Sequence, residues 1–206
     1  MLIQGLACRA VKADRTAHRS WRVVIVSMMS ALMLCASATA AAAKVGKATV
    51  PDSMIVAGQE LPLRGAGLRT RAVFKLYAAA LYTDDIGNGS AVASSDAPMA
   101  IQLHILSKLL TKDRMVKALK EGFNKSTNGD VSEIQDGIDQ MIDALDKPLK
   151  RGVVVTLAYE PDVGTIMTRD DDEPVTIEGL AFKKALFLIW LGTKPAQVSL
   201  KDGMLG

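Results

Sequence analysis

The stretch of this chain best suited to specific chemistry joins an arginine to an aromatic strand. Arg69 ends a pattern that begins with Gly65 and Gly67, and the apolar run after it contains Tyr77 and Tyr82. A guanidinium binds a carboxylate or a phenolate through paired hydrogen bonds, while an apolar strand can bury a hydrocarbon body. The ordinary alternative is a surface arginine beside core tyrosines. The pattern favours a site for a ligand with a long apolar body and an anionic head.

Other cations flank this stretch without being expected to join the site. We predict that Arg64, Arg71 and Lys75 point to solvent, as most charged side chains do.

Few side chains suit acid–base, nucleophilic or metal chemistry. The chain has two histidines and two cysteines, and of these only His104 lies beyond residue 43. A zinc site usually needs three or four nitrogen or sulfur ligands, so we predict no metal, no cofactor and no catalytic residue. His104 lies opposite the apolar side of a predicted strand, where an exposed or partner-facing histidine is the common case.

Two loop-like motifs resemble ligand sites only superficially. Gly65 and Gly67 lead into a strand, so the dinucleotide-binding pattern fails on context. The acidic run 170–173 lacks the spaced oxygen ligands and the glycine of an EF-hand. We interpret it as a solvated turn between strands.

The first 43 residues read as a signal peptide. Five basic residues precede an apolar run over 23–36, and alanine-rich stretches at 38–40 and 41–43 offer cleavage sites. An uncleaved anchor is the alternative, although the second half of the run is weakly hydrophobic. A lipoprotein is disfavoured because Leu34 precedes Cys35. We expect a periplasmic or secreted domain over 44–206 that meets the membrane only through the segment before cleavage.

Removing the leader changes the charge of the chain. The leader contributes five bases and Asp14, so a total of +3 becomes −1 for the rest. There is then no general attraction to nucleic acid. Both cysteines also lie in the leader, so the remaining domain must be stabilised by its core rather than by disulfides.

Hydrophobic periodicity predicts strands early and late in the domain, with helices in the middle and at the end. The predicted strands are 54–59, 73–83, 99–106, 152–159, 164–168 and 175–177. Four helices are predicted: one that begins after Thr111, one over 131–146 with Ser132 as its cap, one over 182–191 and a short one in the tail 199–206. Residues 44–49 are predicted as a linker, and 62–67 and 84–89 as turn or loop. This order predicts an α+β fold, an antiparallel sheet with helices packed on one face.

Several motifs together resemble the chalcone isomerase-like family. They are the segment 63–69, the segment 74–82, a late run with Gly179, Phe182 and 188–192, Pro195, and the ending at 200–206. The resemblance covers about residues 50–206, and over this range the chain is similar to exported bacterial members of the family. It implies an open-faced β-sandwich, with a ligand cleft between a large antiparallel sheet and its helices.

The resemblance also implies roles for individual residues. The family includes plant enzymes that close chalcones to flavanones and non-enzymatic relatives that bind fatty acids, and Arg69 occupies the place of their shared anion-binding arginine. Tyr77 replaces a threonine of the enzymes, and Lys183 falls near a serine or threonine of the late helix. The enzymes use a tyrosine and an asparagine on the first middle helix, but residues 109–122 contain neither tyrosine nor the matching asparagine.

The expectation is therefore a non-catalytic carrier or sensor of a fatty acid or similar anion, with Arg69, Tyr77 and Lys183 as ligand contacts. An intramolecular lyase or isomerase is the first alternative, and it predicts a second titratable group near the ligand head. A structural or interaction domain without ligand is the second, and it predicts no cavity. The carrier predicts an elongated apolar cavity that ends at Arg69. The sequence gives no basis for predicting the oligomeric state.

Overall fold

The computed structural model describes residues 42–170 and 172–206. The predicted signal peptide lies almost wholly outside the described residues, and its cleavage stays a prediction. Residues Ala40–Gly206 form one compact unit. None of the helices in the described ranges has the length and apolarity needed to cross a membrane.

The described residues form nine strands and five α-helices. The strands are β1 (Ala42–Val45), β2 (Ala48–Pro51), β3 (Ser53–Val56), β4 (Gln59–Arg71), β5 (Phe74–Tyr82), β6 (Met99–Ile105), β7 (Val154–Glu160), β8 (Gly164–Arg169) and β9 (Val175–Ile177). The helices are α1 (Gly89–Ser94), α2 (Lys112–Ser126), α3 (Gln135–Ala144), α4 (Leu180–Leu191) and α5 (Val198–Leu205), with a 3-10 turn at Ser132–Ile134 before α3.

Seven strands, β3 to β9, form one sheet in the order of the sequence. Every neighbouring pair is antiparallel. The predicted α+β class with a large antiparallel sheet is thereby confirmed. Its strands were detectable because the core face alternates, as with Ile101, Leu103 and Ile105 on β6.

Helices cover one face of this sheet. In α2 the buried stripe is Met115, Leu119 and Phe123, and Thr111 caps the helix by accepting a hydrogen bond from the Arg114 amide, as predicted. Helix α4 is buried on nearly every side, so its near-uniform apolarity fits a central element.

The predicted cap of α3 is wrong. Ser132 does not cap this helix; instead the Asp130 carboxylate accepts hydrogen bonds from both the amide and the hydroxyl of Ser132. An Asx-type turn with a 3-10 segment therefore precedes the α-helix.

The opposite face of the sheet is partly covered by a hairpin of β1 and β2. The prediction of a linker at 44–49 is therefore wrong, because these residues belong to the two paired strands and the turn between them. Val50 of β2 is fully buried in a second cluster with Tyr82 and Ala100. The Tyr82 hydroxyl donates to the carbonyl of Pro51 at 3.0 Å, which fixes the end of this hairpin.

The prediction of a turn at 62–67 is also wrong, since these residues lie inside the long strand β4. Their glycines serve close packing. A Cβ on Gly65 would stand 2.5 Å from the carbonyl oxygen of Gly203, and one on Gly67 would stand 2.6 Å from that of Leu200. Only glycine lets the backbone of α5 lie directly on the strand.

Candidate functional site

Arg69 and Tyr77 are brought together by the sheet itself. They are paired residues of β4 and β5, so their side chains leave the same face. That face is the one covered by the helices, because the Tyr77 hydroxyl accepts a hydrogen bond from the Trp190 indole of α4 at 3.1 Å. A β-bulge between Arg69 and Thr70 marks this end of the pair.

The residue that holds Arg69 in place is Gln197, just before α5. Its side-chain oxygen accepts from Arg69 Nη1 at 2.9 Å and from the Thr70 amide at 3.0 Å. Its side-chain nitrogen donates to the Thr70 hydroxyl at 3.1 Å and to Ser199 at 2.7 Å. One amide thus fixes the arginine, the strand end and the helix start.

Arg69 keeps donors to spare. Its only other hydrogen bond within the described ranges goes from Nη1 to the Thr70 carbonyl at 3.3 Å. No carboxylate of those residues lies within 4.0 Å of the guanidinium. The guanidinium is half-buried, and among the described residues its hydrogen-bond partners are neutral oxygens.

Tyr77 is a protonated phenol at neutral pH. Burial raises its pKa above the ordinary value of 10.0, and this outweighs the opposing effects of the Trp190 hydrogen bond and the Arg69 charge. Because the phenol oxygen already accepts from Trp190, its own hydrogen points elsewhere, and the described side chains offer it no acceptor. Arg69 and Tyr77 together present hydrogen-bond donors to an acceptor from outside the protein.

Lys183, the third predicted contact, is not part of this cluster. It is fully buried and its Nζ donates to the carbonyl of Ser95 at 2.5 Å, with the rings of Tyr159 and Phe187 at 4.9 and 5.4 Å. Lys183 and Trp190 are about two turns apart on α4, roughly 10 Å along its axis. The helix therefore separates Lys183 from the Arg69–Tyr77 pair.

Arg64 differs from its predicted solvent-exposed position. Its guanidinium donates to the carbonyls of Leu205, Asp85, Ile86 and Gly87. It ties α5 and the loop after β5 to β4. Arg71 and Lys75 are exposed, as expected.

His104 and the acidic residues near 170 make contacts within the fold. The His104 ring lies half-buried at 2.8 Å from the Gln102 side chain, and burial lowers its pKa. Asp170 accepts from the amide of Val154, and Asp172 pairs with Lys147. Within the described ranges no group of acidic, histidine or cysteine side chains is arranged to hold a metal ion.

A cavity of about 400 Å³ lies away from Arg69. It is found between the start of α3 and the junction of β9 with α4, with Glu133, Asp136 and Glu178 at its mouth and Ile177 and Phe182 among its apolar walls. Next to Tyr77, by contrast, the layer between sheet and helices is filled by buried side chains such as Ile105 and Trp190.

The sequence profile described as chalcone isomerase-like matches residues 42–206. The chain belongs to the chalcone isomerase-like family. Comparison with curated proteins found no match. Among solved structures, this chalcone isomerase-like chain is similar to a fatty-acid binding protein of Arabidopsis thaliana, with a TM-score of 0.63 and 16% identity. The likeness covers 80% of this chain and 96% of the other, and at that identity it establishes the fold.

Two residues of the site were missed in the sequence. Trp190 stands in a quoted motif but gave no sign that its indole meets Tyr77, and Gln197 lies 128 positions from Arg69. A polar residue just before a terminal helix was the one available signal for Gln197.

Proposed function

We propose that this chalcone isomerase-like protein binds a fatty acid or a similar amphipathic anion and does not catalyse a reaction. The observation that carries the proposal is the Arg69–Tyr77 pair, a half-buried guanidinium and a protonated phenol with donors to spare and no carboxylate among their described neighbours. A carboxylate head would accept hydrogen bonds from both.

The comparisons support this ligand class. The chain shares its fold with a protein described as fatty-acid binding and belongs to the family in which that fold recurs. Arg69 stands at the end of the helix-covered face. The apolar layer there is filled by buried side chains and the described cavity lies elsewhere, so among the described residues the elongated cavity expected of a carrier is not seen at Arg69.

The chemistry of the pair speaks against the isomerase alternative. An acid–base catalyst works best with a pKa near the operating pH, whereas burial moves the pKa of Tyr77 away from neutrality. The guanidinium of Arg69 has hydrogen-bond donors and no acceptor. Neither residue is therefore suited to take up a proton from a substrate.

Binding a tail requires side chains to move. The layer beside Tyr77 is filled by buried side chains, so a tail must displace some of them; the same core contains Met115 and Met141, and methionine side chains are flexible enough to repack at low cost. Each buried CH₂ of the tail would add about 0.8 kcal/mol. We therefore expect an acyl tail to displace core side chains between the sheet and the helices when it binds.

The test is native mass spectrometry and titration calorimetry of residues 40–206 with palmitate, using methyl palmitate as the uncharged control. This segment contains the whole described core, so we expect it to fold alone. Palmitate should bind to the wild type and to Arg71→Gln, an exposed arginine of the same strand, and at least about tenfold more weakly to Arg69→Gln. Equal palmitate affinity in wild type and Arg69→Gln would contradict the proposed site.

We also propose that the chain is exported and cleaved at the earlier alanine pattern, after Ala40. Cleavage after Ala43 would remove the first two residues of β1, Ala42 and Ala43, which pair with Pro51 and Val50. The intact mass of protein from a periplasmic fraction tests this proposal, and a mass that retains the leader would contradict it.

A further inference from the structure

The connection between β4 and β5 carries the most exposed apolar side chains at one end of the sheet. We call residues 71–75 the hairpin tip. Val73 is 87% exposed and Phe74 is 52% exposed, and they stand between the exposed cations Arg71 and Lys75. A bulky apolar pair that none of the described residues covers is costly to keep in water.

The fold does not require these residues at the tip. Arg71 pairs with Phe74, so Ala72 and Val73 form a two-residue connection, and such connections favour glycine and asparagine. Ala72 instead adopts a positive φ of 50°. The tip therefore keeps side chains that are poor for the turn and unburied in the fold, which indicates a use outside it.

The surroundings of the hairpin tip are basic. The loop after β6 is joined to β5 by a hydrogen bond from the Leu106 amide to the Leu76 carbonyl, and it presents Lys108 and the 40% exposed Leu109. The loop before β7 is joined to the end of β6 and presents Lys150 and Arg151.

Acidic groups are also present at this end, namely the exposed Asp113 in the first turn of α2 and Asp146 in the loop before β7, but the exposed bases outnumber them. Asp170 is bound to a backbone amide and Asp172 to Lys147. At the other end of the sheet the exposed Ile86 follows Asp84 and Asp85 instead. Exposed apolar groups are thus paired with positive charge at one end of the sheet and with negative charge at the other.

We propose that the hairpin tip docks on the surface of an anionic lipid bilayer. Val73, Phe74 and Leu109 would enter the boundary between headgroups and acyl chains, while Arg71, Lys75 and Lys108 pair with lipid phosphates. This proposal adds a membrane contact to the one expected through the signal segment, and it does not depend on the proposed ligand.

The position of the tip gives the docking a consequence. Arg69 stands on the same hairpin, two residues before Arg71. A docked tip places the Arg69–Tyr77 pair next to the membrane surface, where an amphipathic anion would enter or leave the protein.

The experiment is vesicle flotation of residues 40–206, which lack the apolar leader. One set of vesicles contains phosphatidylcholine and phosphatidylglycerol, and the other phosphatidylcholine alone. The wild type should float with the first set and much less with the second. The double variant Val73→Ser/Phe74→Ser should bind at least about tenfold more weakly, and Arg71→Gln and Lys75→Gln about fivefold each.

Matched controls separate docking from folding and from ligand binding. Ile86→Ser removes an equally exposed apolar side chain at the acidic end and should float like the wild type. The tip variants should keep the palmitate affinity of the wild type in solution. In Phe74→Trp, the fluorescence of the new tryptophan should shift to shorter wavelengths when the anionic vesicles are added.

Three results would overturn the proposal. The first is a wild type that binds neither set of vesicles, which is the result expected for a tip that docks on a protein. The second is a serine double variant that floats like the wild type. The third is a Phe74→Trp fluorescence spectrum that does not change when anionic vesicles are added. Failure of palmitate binding alone would count against the proposed function and leave this one intact.

Discussion

Arg64 and Arg69 stand on the same strand, but we expect their substitution to have opposite effects: loss of Arg64 should lower stability, and loss of Arg69 should lower ligand affinity. Arg64→Gln removes a guanidinium that donates to four carbonyls, at distances of 2.5 to 3.2 Å. A hydrogen bond from a charged donor contributes roughly 1.5–3 kcal/mol, and exposed ones contribute least. Three of the four bonds are part-buried, and glutamine can regain one of them. Two lost bonds at the lower limit of this range, about 1.5 kcal/mol each, give a loss of about 3 kcal/mol.

The assay compares unfolding with ligand binding in residues 40–206. Urea denaturation should show the lower free energy of unfolding of Arg64→Gln, and its melting temperature should fall by roughly 5–15 °C. Its palmitate affinity, measured well below that temperature, should match the wild type. Arg69→Gln should show the reverse, because Arg69 makes two hydrogen bonds to neutral oxygens and has donors to spare.

The result that would refute this reasoning is equally specific. A loss of stability below about 0.5 kcal/mol in Arg64→Gln, the usual range for surface substitutions, would mean that the four carbonyl contacts are not made in solution. An equal loss of palmitate affinity in both variants would mean that the two arginines share one role.

Three further predictions concern the frame around the site. Gly67→Val should destabilise the protein by about 2 kcal/mol or more and speed hydrogen exchange in α5, because its Cβ would stand 2.6 Å from the Leu200 carbonyl oxygen; unchanged exchange in α5 would contradict this. Burial lowers the pKa of Lys183 to about 8 from 10.5, so the folded chain loses this proton first, and the urea midpoint of the wild type should rise relative to Lys183→Met between about pH 8 and 10; parallel midpoints would refute it. Tyr82→Phe should cost about 1 kcal/mol in urea unfolding by removing the bond to Pro51, and a midpoint equal to the wild type would show that this bond is not stabilising.

The elements with a clear local period were predictable. The alternation on β6 and the stripe on α2 report burial that a short window of sequence already contains. The same holds for the helix after Gly179, whose apolar length and glycine ending are local features.

The elements shaped by distant contacts were not. Gly65 and Gly67 indicated a turn, but they are glycines because α5, far away in the sequence, lies on them. The hairpin of β1 and β2 was missed because its short strands are ordered by Tyr82 and the second cluster.

For the candidate site the structure gives the geometry of the predicted residues, and their role in ligand binding stays a prediction. The family resemblance pointed to Arg69 and Tyr77, and the sheet places them side by side. The resemblance also pointed to Lys183, but a helix position says nothing of which end of the core it reaches, and the side chain bonds to Ser95 instead. For Gln197 the local signal was only its place before a terminal helix, and its bond to Arg69 spans 128 positions.

The support of Arg69 by Gln197 also affects the order in which this part of the protein forms during synthesis. Gln197 follows Arg69 by 128 positions, so the strand that bears Arg69 leaves the ribosome well before α5 does. A nascent chain can therefore hold its sheet and still lack the amide that orients the arginine. Until Gln197 has been made, the guanidinium lacks the side chain that orients it in the folded domain.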